Sequence, residues 1–62
     1  MNGERKMERS YTVHYETESH IGFCSIPYGE LTELKKMCKE RGHKITMIEY
    51  IVNGKVVRVR RF

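Results

Sequence analysis

The sequence predicts an α+β fold of order ββαββ, a four-stranded, mainly antiparallel sheet with one helix packed on one face. Three observations carry the prediction. Apolar residues alternate with polar ones over 11–16, a helical apolar stripe over 30–41 closes on Gly42, and two β-branched runs are joined by Asn53-Gly54.

The first strand is read from Tyr11, Val13 and Tyr15 alternating with Thr12, His14 and Glu16. A turn near Glu18-Ser19 leads into Ile21-Gly22-Phe23-Cys24-Ser25-Ile26. Pairing Val13 with Cys24 and Tyr11 with Ile26 keeps one face of that hairpin apolar. Pro27-Tyr28-Gly29 breaks the second strand. Leu31, Leu34, Met37 and Cys38 then recur along one side of a helix running from Glu30 to Arg41. Glu30 and Glu33 suit the positive end of its dipole and Lys39 and Arg41 the negative end, and Gly42 stands at the left-handed cap position.

Lys44 to Val52 and Lys55 to Phe62 form the second hairpin, because Asn and Gly both tolerate the positive φ of a two-residue turn. That turn sets a register pairing Tyr50 with Val57 and Ile48 with Val59 on one face. On the other it pairs Ile51 with Val56, Glu49 with Arg58, Met47 with Arg60 and Ile45 with Phe62. The helix-covered face then holds Tyr11, Val13, Tyr15, Cys24, Ile26, Ile48, Tyr50, Val57 and Val59. The opposite face holds Ile21, Phe23, Ile45, Met47, Ile51, Val56 and Phe62, interleaved with His14, Glu16, Glu49, Arg58 and Arg60. Strand order across the sheet stays open.

A chain of 62 residues makes one small domain, expected over 10–62, after a polar arm over 1–9 without periodicity. At that size only roughly 60% of the unfolded surface is buried, so the stability margin is thin. No apolar run is long enough to span a bilayer. The charged start Met1-Asn2-Gly3-Glu4-Arg5-Lys6 lacks the apolar stretch of a secretory signal, so Cys24 and Cys38 are expected as free thiols in the cytoplasm.

The net charge of +4 is unevenly laid out: residues 1–34 hold three basic and six acidic side chains, residues 35–62 nine basic and two acidic. Such a basic half suits an acidic protein surface or a polyanion.

Catalytic and metal motifs were sought along the chain. His14, His20, Cys24, Cys38 and His43 show no Cys-x2-Cys or His-x3-His spacing, so no metal is expected. A Cys24 nucleophile would need a histidine, and His14 points to the opposite face in the expected register. Glu16 with Glu18 sits at a hairpin end and Glu30 with Glu33 at a helix start, where solvation and the helix dipole explain them. With no phosphate loop or nucleophile elbow either, an enzyme or a bound cofactor is not expected.

The apolar second face is the informative feature, because antiparallel sheets usually keep their wet face polar. Either the strand register differs from the one expected, or the arm covers the face with Met1 and Met7, or it is a contact surface. The first functional expectation is a small non-catalytic adaptor or inhibitor that contacts a protein of acidic surface, or a second copy of itself, through this apolar and basic face or a free sheet edge, with Phe23, Met47, Ile51, Arg58, Arg60 and Phe62 as the contact residues. The alternative is nucleic acid, with Phe23 and Phe62 stacking on bases. Lys35, Lys36, Lys39, Arg41, Lys44, Arg58, Arg60 and Arg61 would then neutralise phosphates, and Arg5, Lys6 and Arg9 could add to them.

Overall fold

The computed structural model describes residues 7–62, in the order β1 (Arg9–Glu16), β2 (Ile21–Pro27), a single 3₁₀ turn (Tyr28–Glu30), α1 (Leu31–Arg41), β3 (Lys44–Val52) and β4 (Lys55–Arg61). The strands form one sheet in the order β2-β1-β3-β4, with every neighbouring pair antiparallel. The α+β architecture expected from the sequence is therefore present. Residues 1–6 of the arm, including Met1, Arg5 and Lys6, lie outside the described residues, while Met7 is exposed and Arg9 opens β1.

β1 and β3 occupy the centre because α1, on its way from the β2 edge to β3, crosses the sheet above them. Leu34 and Cys38 of α1 close over Val13 of β1 and Ile48 of β3, and these four form the buried core. Val13 alone is wholly excluded from solvent, at 0% exposure. Tyr11, Cys24, Ile26, Leu31 and Ile45 pack around the core half-buried. A core this small fits the surface-to-volume arithmetic of a short chain.

The helix begins one residue later than expected, at Leu31, because Tyr28–Glu30 is wound as a 3₁₀ turn after Pro27. Its C-terminus follows the sequence closely. Gly42 adopts φ 75°, its N–H donates to the Lys39 carbonyl at 3.3 Å, and His43 N–H donates to the Cys38 carbonyl at 2.8 Å. That pair of bonds satisfies two carbonyls the helix would otherwise leave bare.

The first hairpin has the expected register, with Val13 opposite Cys24 and Tyr11 opposite Ile26. Its turn is built from side-chain chemistry in place of an Asn-Gly pair: the Thr17 hydroxyl accepts the Ser19 and His20 N–H groups at 3.2 and 3.1 Å. Gly22 is required opposite Tyr15, because a Cβ there would meet the Tyr15 hydroxyl oxygen at 2.8 Å.

The second hairpin departs from expectation. Asn53 and Gly54 do take positive φ, 51° and 82°, and Val52 pairs with Lys55 and Ile51 with Val56. A bulge then follows, and Tyr50 pairs with Arg58, Ile48 with Arg60, Glu49 with Val59 and Met47 with Arg61. The expected pairs Tyr50–Val57, Ile48–Val59, Glu49–Arg58 and Met47–Arg60 are all displaced by one residue, with Val57 as the extra one. Since side chains alternate with period two, one added residue moves Arg58 and Arg60 to the helix side and Val59 to the open side.

A second bulge separates β1 from β3. His14 pairs with Met47 and Tyr15 with Ile45, which leaves Thr46 as the added residue. Its hydroxyl donates to the His14 carbonyl at 3.3 Å, and the shift turns Ile45 towards the core instead of the open face. Thr46 also accepts the Phe62 N–H through its carbonyl at 3.0 Å, so the expected Ile45–Phe62 pair is absent. Burial explains this bulge, because it buries an isoleucine and displaces a threonine whose hydroxyl finds a partner.

Candidate functional site

The bulge in β4 creates the site. By rotating Arg58 and Arg60 to the helix side, it sets them beside Tyr50 and Ile48. Between α1 and β4 lies a groove of about 160 Å³, lined by Tyr11, Leu31, Lys35, Ile48, Tyr50, Arg58, Arg60 and Phe62. Among the described residues, three cations and no acidic side chain line it. Arg60 lies over the Phe62 ring at 5.3 Å.

One wall continues into a tyrosine cluster assembled from three elements. Tyr11 of β1 stacks on Tyr28 of the 3₁₀ turn at 5.6 Å, and both meet Tyr50 of β3, at 5.3 and 5.8 Å. Arg9 caps the Tyr28 ring at 4.4 Å. Burial pushes the Tyr11 phenol above its ordinary pKa, and Tyr28 and Tyr50 add to the rise, while Arg58 and Arg9 oppose it. Tyrosine and arginine are the residue types that most often carry binding energy at protein interfaces.

β4 itself is the outer strand, bonded among the described residues to β3 alone, and each of its seven residues is exposed. Val56, Val57 and Val59 are between 46% and 57% exposed and Phe62, just beyond the strand, is 60% exposed. The helix does not reach over β4, which leaves both of its faces in solvent.

The contact residues expected from the sequence are thus divided. Arg58, Arg60 and Phe62 meet in the groove, joined by Lys35. Phe23, Met47 and Ile51 stay on the open face, where His14 separates Phe23 from Met47 in one cross-strand row that ends at Arg61. His14 Nε2 lies 2.8 Å from Glu49 Oε1, so the middle of the open face is polar. Its exposed apolar residues are pushed to the rims, with Ile21 and Phe23 on β2 at 76% and 68% exposure and Val56 and Val59 on β4. The expectation of one face that holds Phe23, Met47 and Ile51 together with Ile45, Arg58, Arg60 and Phe62 is corrected accordingly. Both bulges reduce it, since Ile45 and Phe62 turn to the other side.

The remaining cations are scattered. Lys36 borders a shallow depression with Glu30, Glu33 and Glu40, Arg41 sits near His43, and Lys44 pairs across the sheet with Glu16. Lys39 is exposed in the last turn of α1. Tyr11, Tyr28 and Tyr50 were not singled out from the sequence as site residues, and only their convergence from three separate segments marks them.

Elsewhere, Cys24 and Cys38 line a small cavity of about 120 Å³ with Tyr15, Leu34, Met37, Arg41 and His43. Both thiols are free, and burial pushes the Cys38 thiol up, with Cys24 adding to the rise and Arg41 opposing it. A raised thiol is a weak nucleophile at neutral pH. His14 pairs across from Phe23 and Cys24 from Val13, which puts His14 and Cys24 on opposite faces. Among the described residues no group of three His, Cys, Asp or Glu side chains converges on a metal position, and no helix is long and apolar enough to cross a membrane.

Comparison with known proteins adds nothing to this geometry. No protein-family model, curated protein or solved structure matches the chain.

Proposed function

We propose that the protein is a small non-catalytic binding protein of adaptor or inhibitor type, which contacts a protein partner through β4 and the groove behind it. One observation carries the reading: β4 is exposed along its whole length while presenting valines, arginines and Phe62 beside a tyrosine-lined groove. Isolated exposed valines are ordinary, but a strand with apolar side chains wet on both faces lowers its free energy when covered. The free thiols of Cys24 and Cys38 suit the reducing cytoplasm as its compartment.

Nucleic acid is the less well supported partner. That reading needs Phe23 and Phe62 on one surface with Arg58 and Arg60, whereas Phe23 lies across from His14 on the open side and the β4 bulge turns the other three into the groove. The tyrosine rings are also engaged with one another, which leaves fewer free faces for bases.

The test uses a photo-crosslinking side chain at position 57, with position 36 on the far side of the helix as control. The expected adduct forms from position 57, survives nuclease, and is lost with Phe62→Ala. An adduct removed by nuclease, or one formed equally from position 36, overturns the reading.

A further inference from the structure

The occupant of the β4 edge can be specified further, given the reading of β4 as a protein-contact surface. We infer that β4 accepts an acidic, extended segment of the partner as a fifth strand, paired along Arg58–Arg61 with acidic side chains over Arg58 and Arg60.

The backbone supplies the first part of the argument. An outer strand bonded on one side presents a row of unpaired N–H and C=O groups on the other. β4 is such a strand, and among the described residues no helix lies over it. The bulge at Val57 interrupts that row, so regular pairing of an added strand is confined to the residues after it.

Charge supplies the second part. Arg58, Arg60 and Arg61 fall within the regular stretch, Lys55 precedes it, and no acidic residue occurs from Lys55 to Phe62. Lys35 adds a further cation on the groove side. A second copy of β4 would bring the same cations against these, and like charges directly across a ladder repel. An acidic strand reverses the sign of the contacts at Arg58 and Arg60.

The alternation of β4 sets the pattern its partner must carry. On the groove side the neighbours are Arg58 and Arg60, so acidic residues belong at every second position. On the open side the neighbours are Val59 and Arg61, which suits an apolar residue next to Val59. The opposite outer strand, β2, reads Ile-Gly-Phe-Cys-Ser-Ile-Pro and has no charged side chain with which to select a partner.

The test is direct. The full chain is titrated with a synthetic peptide of about eight alternating glutamates and valines, a length typical of strands, and amide hydrogen exchange is followed by NMR. The amides of Arg58–Arg61 that are not bonded to β3 should slow by about tenfold or more, and binding should weaken by about tenfold in the Arg58→Glu/Arg60→Glu variant. That variant should instead accept a lysine–valine peptide, which shows that it remains folded.

Each other outcome removes a stated part. If a glutamate–valine peptide N-methylated on alternate amides binds as well, strand addition is wrong, although a protein-contact surface on β4 survives. If lysine–valine peptide binds the unmodified chain equally, the acidic preference is wrong. No slowing at about 1 mM peptide, where even weak complexes form, overturns the inference. Binding of oligothymidylate with none of the peptide overturns both the inference and the protein-partner reading.

Discussion

The two hairpins make an instructive pair. The first, β1–β2, has a turn with no strong signal, yet its ladder runs unbroken from Glu16–Ile21 to Ser10–Pro27. The second, β3–β4, has the strongest turn signal in the chain, yet slips by one residue directly after the Ile51–Val56 pair. The difference lies in burial. Val13, Cys24 and Ile26 lie under or beside the helix, so moving the first hairpin by one residue would expose them. No residue of β4 is buried on either face, so little such penalty opposes the slip, and the turn governs only the pairs next to it.

This contrast can be broken most forcefully in the core. Ile48→Ala or Leu34→Ala should cost about 2–4 kcal/mol, a large share of what a domain this small possesses, whereas Val57→Ala or Val59→Ala should cost under about 0.5 kcal/mol. Urea denaturation distinguishes them, and a Val59→Ala loss equal to that of Ile48→Ala would mean that β4 belongs to the core.

A smaller effect is expected at the glycines that the helix and the first hairpin require. Gly42→Ala forces a Cβ into φ 75°, and Gly22→Ala pushes against the Tyr15 ring, so each should lose about 1 kcal/mol. Substituting Gly29, which has open space around its Cα, provides the neutral control.

Alkaline pH probes the place where the hairpins meet. Tyr11 and Cys38 both have raised pKa values in the folded chain, so the unfolded chain loses these protons first as pH rises. Stability should be level below the ordinary values, about 8.5 for a thiol and 10 for a phenol, and fall above them. In Tyr11→Phe the part of the decline near pH 10 should shrink. An unchanged midpoint in urea from pH 7 to 10.5 would contradict the burial assigned to these groups.

The smallest effect is the most discriminating for the slip itself. Deleting Val57 removes the extra residue and leaves Arg58 beside Tyr50, so stability should change by less than about 0.5 kcal/mol and the groove should persist. Were β4 paired without a bulge, the same deletion would invert every later side chain.

What the sequence made legible follows the same division. Helix end and Asn53-Gly54 turn are local, each set by a residue whose chemistry names its conformation, and the first-hairpin register follows from keeping its apolar side chains on one face. Thr46 and Val57 carry no such mark, because an added β-branched residue in a strand looks like any other. Strand order was hidden because it depends on β1 meeting β3 across a long stretch of chain, from Glu16 with Lys44 to Arg9 with Val52. The groove was legible in part: Arg58, Arg60, Phe62 and Lys35 were all singled out. The tyrosines that complete it carry no shared mark in the sequence, where Tyr11 and Tyr50 belong to the helix-covered face and Tyr28 to the break after the second strand; they converge only once the sheet and the 3₁₀ turn are assembled.

The faces of β4 are the premise on which the groove, the partner and the paired strand all rest, and nuclear Overhauser contacts in the full chain read them directly. The expected spectrum connects the Arg58 and Arg60 side chains to Tyr50, Tyr11 and Leu31, and connects Val59 to Glu49. Contacts from Val57 and Val59 to Tyr50 and Ile48, with Arg58 beside Glu49, would return the arginines to the open face and remove the site.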